Sequence, residues 1–115
     1  MAAGMPQKWY WAARWKWILD TGVVHELYNA GVSDALRIAG REKWRDPATV
    51  VPDMVELAMA EILWPGRFRN DEARRTWLGW SKGSWGRRRY QYEEVYRLVD
   101  GWTASAYGYL VAAQR

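Results

Sequence analysis

Apolar side chains recur at steps of three and four along most of this chain, and runs of strict alternation are nearly absent. A period near 3.6 gathers those side chains on one face of a helix, whereas a half-buried strand needs a period of two. The expected fold is therefore all-α. At 115 residues the chain fits a single small helical domain, residues 1–115, able to bury one core without metal or disulfide support. The absence of cysteine excludes a disulfide framework, a thiolate nucleophile and Cys-based zinc sites.

Helix punctuation divides the chain into about five helices. Pro6 suits the first turn of a helix from about Gln7 to Asp20, stopped by Gly22, with residues 1–7 expected to be flexible. Short helical pieces follow from Val23 to Ala30 and from a Ser33 cap to Ala39, bounded by Gly31 and Gly40. The charged run Arg41-Glu42-Lys43-Trp44-Arg45-Asp46-Pro47 reads as a loop. Pro52 then opens a helix to about Trp64, with Val51, Val55, Ala58, Met59 and Ile62 as its core stripe. Asn70 caps a helix from Asp71 to Lys82, and a turn over Gly83–Gly86 leads into the longest helix, from about Arg87 to Ala112. Residues 70–113 thus form a basic helical hairpin. Along its second arm Tyr92, Val95, Val99, Trp102, Ala106, Tyr109 and Ala113 repeat like a heptad seam. Such a seam serves either the chain's own core or a homodimer.

The formal net charge of +4 hides an asymmetry. Residues 1–64 carry 7 Lys or Arg against 8 Asp or Glu, whereas residues 65–115 carry 10 against 5. Between Arg67 and Arg89 eight basic residues face only Asp71 and Glu72. A patch of this kind steers polyanions, and arginine's planar fork suits phosphate. The ten tryptophans sharpen the picture, because three of them, Trp77, Trp80 and Trp85, lie among these cations. The first helix is aromatic on two sides. Trp11, Trp15, Ile18 and Leu19 share one face, while Trp9, Tyr10, Arg14 and Trp17 mark the other and are the candidate contacts for a protein partner.

Little in the chain points to catalysis. His25 is the only histidine and has no second ligand at i+4, and Lys82-Gly83-Ser84 has the wrong order for a phosphate loop. Glu93 and Glu94 are adjacent, so on a helix they diverge by about 100° and make no acid/base pair. The chain reads as a non-enzyme without cofactor or metal. With no signal-like apolar segment and no run of about 20 apolar residues, it is expected to avoid the membrane and to work in the cytoplasm of a bacterial host cell.

Two helices joined by a tight glycine-bounded turn, with arginine at the start of the second, have the outline of a helix-turn-helix reader of DNA. The first residues of the second helix would reach base edges. Here they are Arg87, Arg88, Arg89 and Gln91, with arginine matched to guanine and glutamine to adenine. Arg74, Arg75 and Lys82 would hold phosphates, and Trp85 lies beside them as a further nucleic-acid contact.

The stretch Arg74-Arg75-Thr76-Trp77-Leu78-Gly79-Trp80-Ser81-Lys82-Gly83-Ser84-Trp85, continued by Arg87-Arg88 and by Val95-Tyr96-Arg97-Leu98-Val99-Asp100-Gly101-Trp102, resembles the C-terminal helix-turn-helix of small phage-borne regulators. Among these are the late-gene antitermination (Q-type) proteins. The resemblance covers about a third of the chain, and it implies binding to a DNA site near a late promoter together with bacterial RNA polymerase. The expectation is a small basic transcription regulator of phage or prophage type. The same surface also fits a protein-binding inhibitor or adaptor directed at a host defence protein, since tryptophan and arginine anchor protein interfaces as well. A virion assembly subunit is a third reading.

Overall fold

The computed structural model describes residues 7–113, with side chains from residue 12 onward. The expected flexible segment 1–7 falls outside the described residues apart from Gln7, which opens the first helix. Five helices follow in order, α1 (Gln7–Thr21), α2 (Val24–Arg41), α3 (Pro47–Leu63), α4 (Asp71–Leu78) and α5 (Lys82–Ala113), and no strand occurs among the described residues. The fold is all-α, ending in a helical hairpin whose second arm is the long C-terminal helix.

The middle helix is the centre of the core. On α3 the buried residues include Val50, Val51, Met54, Val55, Leu57, Ala58, Met59 and Ile62, so the helix is apolar nearly all round and must be covered on several sides. The expected stripe of Val51, Val55, Ala58, Met59 and Ile62 is buried throughout. The helix begins earlier than expected, at Pro47, because proline's fixed φ suits the first helical position. Pro52 lies inside, where its missing N–H loses one backbone bond without ending the helix.

Both α2 and α5 pack on α3. The two short pieces expected between Val23 and Ala39 are one helix that runs through Gly31. Leu27, Gly31, Ala35 and Ala39 are its buried face, at a spacing of four. A Cβ at Gly31 would lie 3.1 Å from both Val55 Cγ1 and Val99 Cγ2. The glycine is therefore a contact point of three helices and not a helix stop.

The hairpin begins at Asn70 as expected, but its turn lies elsewhere. Asn70 does cap α4, its Oδ1 accepting the Ala73 N–H at 2.9 Å, but the helix stops at Leu78 with Gly79 in the left-handed region at φ 73°. Ser81 then caps α5, its Oγ accepting the Ser84 N–H at 3.1 Å and its carbonyl the Trp85 N–H at 3.0 Å. The turn is Gly79-Trp80-Ser81, and Gly83 and Gly86 lie within α5.

The buried line of α5 runs Tyr92, Val95, Val99, Thr103. Trp102 and Tyr109, expected on the core seam, are exposed, Tyr109 by 81%. Ala113 is exposed as well, while Ala106 is half-buried. A straight helix turns every 3.6 residues, so a seam of period 3.5 drifts off the core by about 20° per heptad. At the other end of the fold, α1 contributes Ile18 and, unexpectedly, Arg14 to the buried set, whereas Leu19 is exposed.

Candidate nucleic-acid interface

The elbow between α4 and α5 turns its aromatic rings inward. Trp85 is 4% exposed, with its ring centroid 5.3 Å from that of Tyr92 and 6.3 Å from that of Trp80. Trp80 is half-buried, and its indole N–H donates to the Asp53 carboxylate at 3.2 Å, which ties the turn to α3. Burial removes Trp85 from the expected contact surface, because its ring is needed to lock the hairpin on the core. Gln91, only 7% exposed, is removed in the same way: ten residues into α5, it faces the protein interior.

The cations divide into two groups. Arg74 is structural: its Nε donates to Glu61 at 2.9 Å and its Nη1 to Asp71 at 3.1 Å. Tyr92 donates its hydroxyl to the other oxygen of Glu61. Burial holds the Glu61 carboxyl above the ordinary carboxylate range, although the Arg74 hydrogen bond and charge pull the other way. Arg75 is half-buried, with Glu72 at 3.9 Å.

Lys82, Arg87 and Arg89 are exposed. Arg87 Nη2 reaches the Ser84 hydroxyl at 3.5 Å, while Arg89 lies 3.4 Å from Asp71 and 3.6 Å from Glu93. Arg88 is half-buried, its guanidinium carbon 5.9 Å from the Trp80 ring centroid and its Nη2 3.9 Å from Asp46. With α5 starting at Lys82, these arginines lie in its second and third turns. The helix end itself presents Lys82, Gly83 and Ser84, and only that first turn carries the favourable dipole for an anion.

Three further cations are exposed where α2 passes into α3: Arg41, the last residue of α2, and Lys43 and Arg45 on the connection, the segment whose Asp46 meets Arg88. Their signal in the sequence is the alternation of cations in the run Arg41 to Arg45. Distance in sequence hides the contact of this segment with the elbow through Asp46 and Arg88.

Of the candidate contacts for a protein partner, Arg14 and Trp17 have described side chains, and both are engaged within the protein. Arg14 is 1% exposed, its guanidinium engaged by Asp100, so it packs inside the protein and is not offered to a partner. Trp17 is half-buried and meets Tyr107 edge-on, with ring centroids 5.5 Å apart. The side chains of Trp9 and Tyr10 lie outside the described residues. Next to Trp17 an apolar groove runs between α2 and the last turns of α5, lined by Val23, Leu27, Leu98, Trp102 and Leu110.

Among the described residues no cluster of three or more His, Asp or Glu side chains could hold a metal ion. No described helix is long and apolar enough to cross a membrane. Comparison with protein-family models, with curated proteins and with solved structures finds no match to this chain.

Proposed function

We propose that this protein is a small basic nucleic-acid-binding regulator that grips the phosphate backbone of DNA with Lys82, Arg87, Arg88 and Arg89. The observation that carries the reading is the division of labour at the elbow. Its tryptophans anchor the hairpin to the core, and the cations of the next turns project from that fixed frame. Arginine and lysine held on a rigid helix bind phosphates at small entropic cost. Gln91, turned inward, is withdrawn from base reading. Its phage-type setting and an action together with bacterial RNA polymerase rest on the resemblance of residues 74–102.

The test is the double variant Lys82→Glu and Arg87→Glu, two exposed positions whose change leaves the core intact. Retention on duplex DNA at about 0.1 M salt is expected to fall by more than about tenfold, because each lost phosphate contact weakens binding. Unchanged retention with an unchanged helical circular-dichroism signal would remove the elbow from the interface.

One observation favours a second reading, a protein-binding inhibitor or adaptor. Trp102 and Tyr109 are exposed beside the apolar groove of α5, and large aromatics of this kind anchor protein partners. Capture of a bacterial protein that survives nuclease treatment and is lost in Trp102→Ala would support it.

A further inference from the structure

We propose that the α2–α3 loop is the second half of the nucleic-acid surface. Arg41, Lys43 and Arg45 continue the phosphate track that begins at the α5 elbow, and the ligand is the backbone of a duplex, not a single strand. This rests on the reading of the elbow as a nucleic-acid surface and adds to it both the loop and the form of the ligand.

The loop and the elbow are far apart in sequence and adjacent in space. Asp46 closes the loop and lies 3.9 Å from Arg88, while Trp80 of the hairpin turn is bonded to Asp53 near the start of α3. The loop cations are available: Arg41, Lys43 and Arg45 are exposed and make no ion pair among the described residues. Of the two acids in the loop, Asp46 is directed at Arg88, which leaves Glu42 as the one carboxylate beside the three cations.

The loop is also braced by backbone hydrogen bonds and by packing on the core. Glu42 N–H donates to Ile38 O at 3.0 Å and Trp44 N–H to Ala39 O at 3.0 Å, while the Trp44 ring packs against the core. This is the helix-ending arrangement that normally places glycine at its left-handed position. Here that position is Lys43, at φ 54°. Lys43 and Asp46 are the two non-glycine residues with positive φ among the described residues. A lysine where glycine fits better is a locally unfavourable arrangement, of the kind found where a side chain serves a ligand. A pre-ordered loop gives up little freedom when it meets phosphate.

The form of the ligand follows from the rings. Single-strand binders stack successive bases on exposed aromatic faces set among cations. On this surface Trp85 is buried, Trp44 is packed on the core, and Trp80 has its N–H engaged and Arg88 over its ring. Tyr90 on α5 and Trp77 on α4, the latter edge-on to Phe68, are the exposed rings that remain on the hairpin, short of the succession that stacking needs. What this surface presents is positive charge on fixed backbone, the requirement for holding a duplex without reading it.

The test measures fluorescence anisotropy with a labelled random 20-mer, as duplex and as single strand, over a salt series. The proteins are the wild type and the triple variant Arg41→Gln, Lys43→Gln, Arg45→Gln. Lys43→Gly is a second variant, whose backbone suits the left-handed position and so keeps the fold. The wild type is expected to bind duplex more tightly than single strand. The triple variant should lose about two to three units from the slope of log K against log salt, and Lys43→Gly about one, at roughly 0.9 per phosphate contact. A triple variant with the wild-type slope on duplex, or a wild type that prefers single strands, would overturn the proposal and leave the elbow reading standing. A wild type that binds neither form would overturn the elbow reading itself, and the loop with it.

Discussion

The Arg14 guanidinium donates to both the carboxylate and the main-chain carbonyl of Asp100, at 3.1 and 2.6 Å, and so joins α1 to α5 across 86 residues of sequence. Arg14 is enclosed, but the Asp100 side chain remains 35% exposed. The pair therefore acts as a partly solvated clasp, more costly to break than a surface ion pair and less costly than a fully buried one.

Arg14→Leu is expected to lower stability by about 2 kcal/mol, since it strands the Asp100 carboxylate without its partner while water can still reach it. Arg14→Lys should recover only part of this, because an ammonium cannot reach both oxygens as the planar fork does. Urea unfolding reads the effect. A loss below about 0.5 kcal/mol in Arg14→Leu would show that α1 is held on α5 by other contacts.

Two glycines in helices should respond with opposite sign. Gly31→Ala forces a methyl to 3.1 Å from Val55 and Val99 and is expected to cost about 1–2 kcal/mol. Gly101 has nothing within 4 Å of an added Cβ, so Gly101→Ala should stabilise by about 0.5–1 kcal/mol through helix propensity alone. Thermal unfolding of the two variants checks the pair, and stabilisation by Gly31→Ala would mean that α2 does not approach α3 and α5 so closely.

Glu61 supplies a pH dependence of unusual sign. Its folded pKa is raised by burial, so the folded state holds that proton more tightly than the unfolded chain does. Its contribution to stability is fully present below the ordinary carboxylate pKa and is lost as pH rises through the raised value. Most paired carboxylates act in the opposite direction. The difference in unfolding free energy between wild type and Glu61→Gln, taken across the acid range, should therefore fall with rising pH. A difference that rises with pH would place Glu61 in a charge-stabilised site dominated by Arg74.

Lys43→Gly should raise stability by about 0.5–1 kcal/mol by relieving the left-handed strain at φ 54°, while weakening the hold on duplex DNA. Unfolding midpoints and anisotropy on the same sample read both effects. A variant that gains stability with no loss of affinity would make Lys43 a surface lysine in an awkward conformation.

The fold class, the core stripe of α3 and the Asn70 cap were legible because each rests on a local rule: a helical period or a preferred cap residue. The errors fall where a distant contact overrides such a rule. Gly31 looked like a stop, yet it is small because Val55 and Val99 press on it. Gly83 and Gly86 look like the hairpin turn, although the Gly79 and Ser81 signals, four and two residues before Gly83, are the ones used. Arg14 carried no mark of burial, since Asp100 is its partner from the far end of the chain. The basic composition of the elbow could be read directly, but not the inward turn of Trp85 and Gln91, nor the meeting of the loop with Arg88.

The most direct measurement is the affinity of the unmodified protein for a random DNA duplex between about 0.05 and 0.2 M salt. With four elbow cations and three loop cations on phosphates, log K is expected to fall against log salt with a slope of about −6, at roughly 0.9 per phosphate contact. Binding that is indifferent to salt, or no binding at the low end of the series, would contradict a phosphate-gripping surface on this protein.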